Sequence, residues 1–124
     1  MAQRLPPEVE NKLAKLQGLQ AQYNRLAQER AAVEAEMAET QRVLKVLEEA
    51  GEDAPVYRMR AGILVRVDRG KLVQELKDRL EILEIRLQKL KKQEEEMKKQ
   101  IDKLVDEIKQ YQMKMALGKQ GGAG

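Results

Sequence analysis

Side chains capable of covalent chemistry are nearly absent from this chain. It has no Cys, no His and no Ser, and its hydroxyls are confined to Thr40 and the phenols of Tyr23, Tyr57 and Tyr111. This removes the usual nucleophiles, imidazole bases and soft metal ligands. The carboxylates are scattered over polar helix faces with no Gly-rich phosphate loop beside them, so no pair is set up for acid–base work. The sequence therefore points to a non-enzyme with no catalytic residue, no cofactor and no metal, acting through apolar contact. Apolar residues beyond those a helix pair would consume collect near the hinge and at the chain ends. Leu13, Met113 and Leu117 extend Val9, Ile108, Tyr111 and Met115 into one apolar surface, where unbranched Met suits partners of many shapes. The plainer alternative is a frayed helix end, where single apolar residues need no explanation.

The elements that would position these residues follow from heptad spacing. One stripe holds Leu5, Val9, Leu16, Leu19, Tyr23, Leu26, Val33, Met37, Leu44 and Leu47, interrupted by Lys12, Arg30 and Thr40. A second holds Val73, Leu76, Leu80, Leu83, Leu87, Leu90, Met97, Ile101, Leu104, Ile108, Tyr111 and Met115, interrupted by Glu94. The stripes mirror each other about residue 60, so that Leu47 (d) meets Val73 (a) and Leu44 (a) meets Leu76 (d). An a residue facing a d residue in every layer is the signature of two antiparallel helices. Arg30 and Glu94 fall in neighbouring layers and are expected to pair as a register device, since an unpaired charge in the seam is costly.

The chain reads as one domain over residues 1–124. The first coiled-coil helix is expected over 5–50, a β-hairpin linker over 51–70, the second helix over 71–117 and a flexible tail over 118–124. Gly51 and Pro55 close the first helix, Asp68 caps the second and Gly118 ends it. Between them, Val56–Val67 switches to a period of two and breaks at Ala61-Gly62, the pattern of a hairpin. Alternation puts Tyr57 and Met59 on one face of the first strand and Ile63, Val65 and Val67 on one face of the second. Arg58, Arg60 and Arg66 point the other way. A lone two-stranded hairpin is marginal in water and leaves both edges unpaired, so assembly through it is expected. Val43, Val46, Leu72, Ile82 and Ile85 are expected to pack beneath the resulting platform. The fold class is mainly α: an antiparallel two-helix coiled coil with one β-hairpin at the hinge, assembling with other hairpins into a larger sheet or barrel.

Composition narrows the functional classes. With 124 residues, 36% charged and 2% aromatic, the chain has too little apolar material for an ordinary globular core. Its net charge of +3 reflects 24 basic against 21 acidic residues, and no basic face emerges, which argues against a nucleic-acid partner. No apolar run approaches the roughly 20 residues of a membrane span. The lack of a signal pattern and of Cys fits a cytoplasmic location.

The hairpin carries a resemblance. Val56-Tyr57-Arg58-Met59-Arg60-Ala61-Gly62-Ile63-Leu64-Val65, followed by Leu76 and the heptads from Leu80 to Leu87, resembles the prefoldin β-subunit family along nearly the whole chain. One departure is Ala61, where that family often has Gly. The short connection has room for one hairpin, which is similar to the β class, since the α class carries two. The resemblance implies a hexamer of two α and four β subunits joined by a double β-barrel platform, with the prefoldin α subunit as partner. It also implies ATP-independent holding of unfolded client proteins at the coiled-coil tips and their delivery to a group II chaperonin. Tyr57, Met59, Ile63, Val65 and Val67 would then serve oligomerisation. Val9, Leu13, Ile108, Tyr111, Met113, Met115 and Leu117 would contact clients. The competing class is a structural or adaptor coiled coil, or a filament-forming spacer with the hairpin as its joint, which predicts polar rather than apolar ends.

Overall fold

A computed structural model describes residues 5–122, in the order α1 (Pro7–Ala50), β1 (Val56–Arg60), β2 (Ile63–Val67) and α2 (Arg69–Gly122). Helix α1 begins two residues later than the seam suggests. Pro7 takes its first position, where a missing N–H costs nothing, and the Pro6 carbonyl accepts from Val9 and Glu10 N–H, both at 3.0 Å. Glu8 and Glu10 lie in the first turn, where the helix dipole favours negative charge. At the other end Gly51 adopts φ +86° and donates to the Glu48 carbonyl, a left-handed stop that suits glycine. The last turn of α1 contains no basic residue of its own. Arg69, at the start of α2, supplies the charge by donating from Nη2 to the Leu47 carbonyl at 3.0 Å.

Strands β1 and β2 pair antiparallel, with Arg60 opposite Ile63 and Ala61-Gly62 as the two-residue loop. Both loop residues have positive φ, +48° at Ala61 and +77° at Gly62, as a type I′ turn requires. The register corrects how the two strand faces combine. Tyr57 lies opposite Arg66 and Met59 opposite Leu64, while Arg58 lies opposite Val65 and Arg60 opposite Ile63. Residues directly opposite share a face, so Tyr57 and Met59 sit on one side of the hairpin and Ile63, Val65 and Val67 on the other, beside Arg58 and Arg60. Within each strand the expected alternation holds. Across them, a two-residue loop sets odd positions of β1 against even positions of β2.

Asp68 caps α2: its Oδ2 accepts the Lys71 N–H at 2.9 Å and its carbonyl accepts from Leu72. The helix proper thus begins at Arg69, two residues before the expected start. It also runs through Gly118 to Gly122, correcting the expected flexible tail over 118–124, of which residues 123–124 lie outside the described residues. A glycine weakens a helix by about 1 kcal/mol but forbids nothing, and ends it only by turning left-handed. Gly118 is not among the glycines with positive φ.

The chain divides into two compact units, one of residues 29–90 and one drawn from its two ends, up to residue 28 and from 91 onward. In the hinge unit, Val33, Leu47, Leu83, Leu87 and Leu90 are buried at seam positions, and Leu72 is buried off the seam. Thr40, one of two polar seam residues there with Arg30, is buried too and donates its hydroxyl to the Glu36 carbonyl at 2.8 Å. Arg79 pairs with Glu36 at 2.9 Å and Arg86 with Glu29 at 3.5 Å. The partner number falls by seven as the arginine number rises by seven, so the two helix segments run antiparallel in the mirrored register. In the chain-end unit Val9, Leu104 and Ile108 are buried, and Lys12 pairs with Glu107 at 3.4 Å.

Two stability effects follow. Leu83 is 1% exposed, and Leu83→Ala should lower the unfolding free energy by about 3 kcal/mol. A guanidinium titration showing a loss below about 1 kcal/mol would contradict a close-packed layer there. Ala61→Gly relieves a left-handed backbone that costs an L-residue roughly 1 kcal/mol. It should raise the melting temperature, and a fall would overturn the strain assignment.

Candidate functional site

Two apolar surfaces remain open, one in each unit. In the chain-end unit an open groove of about 350 Å³ is lined by Leu5, Val9, Leu13, Ile108, Tyr111, Gln112, Met115 and Ala116. Val9 and Ile108 are buried and form its floor, Leu13 and Tyr111 are half-buried, and Leu5 and Met115 are exposed. Five of the residues singled out at the chain ends thus meet in one concave surface. Met113 and Leu117 do not: each is 65% exposed and neither lines the groove. Helical phase explains this, because Met113 and Leu117 occupy outward f and c positions while Ile108, Tyr111 and Met115 hold a and d. Leu5, Gln112 and Ala116 are lining residues that the site assignment left out. Leu5 had a signal, its place on the seam stripe. Gln112 and Ala116 had none beyond their neighbours.

Charge surrounds this groove without entering it. Lys12, one turn past Val9, reaches Glu107 at 3.4 Å and Glu8 at 3.7 Å. The apolar stem of such a side chain can lie along the seam while its ammonium stays at the edge.

In the hinge unit Tyr57, Met59, Ile63 and Val65 are all exposed, Ile63 by 66%, and Val67 is half-buried. Leu64 is equally open and shares the Tyr57–Met59 face, a contact candidate that alternation within β2 alone concealed. The opposite face is anchored to α2 by Arg58, whose Nη1 donates to Glu75 Oε2 at 2.9 Å. Below β1 lies a second open groove of about 670 Å³ lined in part by Val43, Val46, Tyr57, Met59 and Leu72. Ile82 and Ile85, at outward c and f positions of α2, are exposed and line no part of this groove, and Val46 is equally exposed at its edge. Among the described residues no group of His, Cys, Asp and Glu is placed to hold a metal ion. No helix among them is long and apolar enough to cross a membrane.

This architecture has known relatives. A family model described as prefoldin subunit matches residues 10–115. Prefoldin subunit beta of Methanococcoides burtonii is 37% identical over 121 residues, covering 98% of this chain and 99% of that one. The protein of the same name from Saccharolobus islandicus is 39% identical over 108 residues, covering 87% and 86%. Among solved structures, the prefoldin beta subunit from Thermococcus strain KS-1 superposes with a TM-score of 0.79 at 31% identity, covering 89% of this chain and 96% of that one. The prefoldin beta2 subunit of the same strain matches at 0.64 and 19% identity, a likeness of fold. Matched by the family model, by sequence and by structure, the chain belongs to the prefoldin subunit family, among its β subunits.

Proposed function

We propose that this chain is a holdase subunit that binds unfolded proteins, without ATP, in the apolar groove of its chain-end unit and passes them to a group II chaperonin. Family membership itself implies a chaperone subunit that works in a hetero-oligomer with other prefoldin subunits. The finer reading rests on one observation: an open, largely apolar groove in which buried Val9 and Ile108 lie beneath half-buried or exposed Leu5, Leu13, Tyr111 and Met115. Val9, Leu13, Ile108, Tyr111 and Met115 would contact the client, with Met113 and Leu117 flanking them on the outward side. The contacts are apolar and adaptable, so clients need share no sequence, only exposed apolar segments. One such groove binds weakly. Several carried by one assembly hold one client at raised effective concentration.

The hairpin supplies the assembly. Tyr57, Met59, Leu64, Ile63 and Val65 are exposed and both strand edges are open, which invites pairing with other hairpins. A hexamer with two α subunits and four β, closed by a β-barrel platform, fits those open edges. A cytoplasmic location suits a chaperone that receives newly exposed chains. An adaptor or spacer would need neither the groove nor Met115, Met113 and Leu117 in the open.

Two experiments bear on this. Removal of the first nine residues together with everything from Tyr111 onward should leave the oligomer intact in native mass spectrometry. It should also abolish protection of a denatured test protein against aggregation, tested with the prefoldin α subunit present and ATP absent. Undiminished protection would place the client site elsewhere. Replacing both Tyr57 and Ile63 by Asp should reduce the assembly to single subunits with helicity largely retained, and an unchanged native mass would refute the platform role.

A further inference from the structure

A lysine stands in the seam of the chain-end unit where an apolar residue would normally sit. Lys12 occupies the d position between Val9 and Leu16, and its side chain is 32% exposed. Its ammonium lies 3.4 Å from Glu107 on α2 and 3.7 Å from Glu8 on its own helix. Glu107 is similarly half-covered at 34% and directly precedes the buried Ile108. Lys12 lies within the stretch of α1 that lines the groove, between Val9 and Leu13, and faces the lining residue Ile108 in the mirrored register. At this layer the groove's two walls therefore meet through Ile108 and an ion pair, where a second apolar side chain would otherwise stand. A leucine layer would resist parting through apolar burial. An ion pair one third open to water resists weakly, and salt screens it.

We infer that Lys12 and Glu107 form a latch that lets the groove walls part to admit an apolar segment of an unfolded chain, so that the absence of an apolar side chain at residue 12 is a requirement of capture. This deepens the holdase reading and rests on it. Opening exposes more of Val9, Ile108 and Tyr111, which are covered in the closed groove and would face the incoming segment. Lys12 acts as a positioning residue: it governs the separation of the walls and does not line the groove itself. The chemistry makes a counterintuitive claim, that adding an apolar side chain at residue 12 weakens apolar binding.

The test uses the full-length chain in its native assembly with the α subunit, comparing wild type, Lys12→Leu, Lys12→Glu and the double exchange Lys12→Glu with Glu107→Lys. Two readouts are taken: hydrogen exchange of backbone amides in residues 9–16 and 104–116, and suppression of aggregation of chemically denatured citrate synthase. Lys12→Leu should slow exchange in these segments at least tenfold and weaken suppression severalfold. Lys12→Glu, which sets like charges against Glu107 and Glu8, should speed exchange, and the double exchange should return it toward wild type. Unchanged exchange in Lys12→Leu would overturn the latch. Slowed exchange with undiminished suppression would overturn its link to capture while leaving the holdase reading intact. Absence of suppression by the wild-type assembly would sink both the holdase reading and the inference built on it.

Discussion

The a and d side chains of two opposed helices have no core but each other, and the rest of this structure depends on that constraint. A chain with 36% charged residues and no Phe or Trp buries little else. Every described seam residue from Val9 to Leu47 and from Val73 to Tyr111 is buried or half-buried. Off the stripe, few positions are covered at all, among them Leu72 and Val43 under the hairpin and Leu13 and Val105 in the chain-end unit. Charge pairs reinforce the register from outside. Arg79–Glu36 and Arg86–Glu29 join flanking positions seven residues apart on each helix, so a slip of one heptad would have to exchange partners in both. Each pair is exposed and individually worth at most about 1 kcal/mol. Their value is in specifying which layers meet, while burial of leucines such as Leu83 supplies the stability.

Opposed helices require a reversal, and the reversal is made with few residues. Gly51 turns the chain out of α1, a two-residue loop with positive φ at Ala61 and Gly62 turns it back, and Asp68 starts α2. Arg69 then closes the circuit by returning to the Leu47 carbonyl, so the end of one helix is capped by the start of the other. The hairpin held between them is tied to α2 through Arg58 and Glu75 but keeps Tyr57, Met59 and Leu64 exposed. A sheet of two strands in this state has unfinished hydrogen-bonding edges, and its apolar residues are distributed over both faces. Such a hairpin is left open to neighbours on either side, in keeping with a family whose members work as hetero-oligomers.

Much of this was legible in the sequence, because heptad and alternating periods are strong local signals. The seam, the hairpin and its turn, the cap at Asp68 and the stop at Gly51 were read from residue type and spacing. The differences lie where local pattern is silent. Which face of β1 matches which face of β2 depends on loop length, so Leu64 emerged as a partner of Met59 only once Arg60 was seen opposite Ile63. Glycine is permissive in either direction, so Gly118 could end a helix or pass through one, and it passes. Ile82 and Ile85 are apolar but outward-phased, and both are exposed in the single chain. The same reasoning separates Met113 and Leu117 from the groove. Hydrophobicity nominated them, and helical phase left them outside.

The two units put the same seam to different uses. In the hinge unit one polar interruption, Thr40, is buried and satisfied within its own helix by the Glu36 carbonyl, so it needs no partner across the seam. In the chain-end unit Lys12 is satisfied by Glu107 on the other helix, through a contact that water can reach and replace. A hydroxyl that back-bonds locally keeps its partner whether or not the helices part, whereas a cation paired across the seam trades one charged partner for water. Local opening follows the elements with fewest buried apolar contacts. By that measure the unit drawn from the two ends, with fewer buried apolar residues than the hinge unit, opens the more readily.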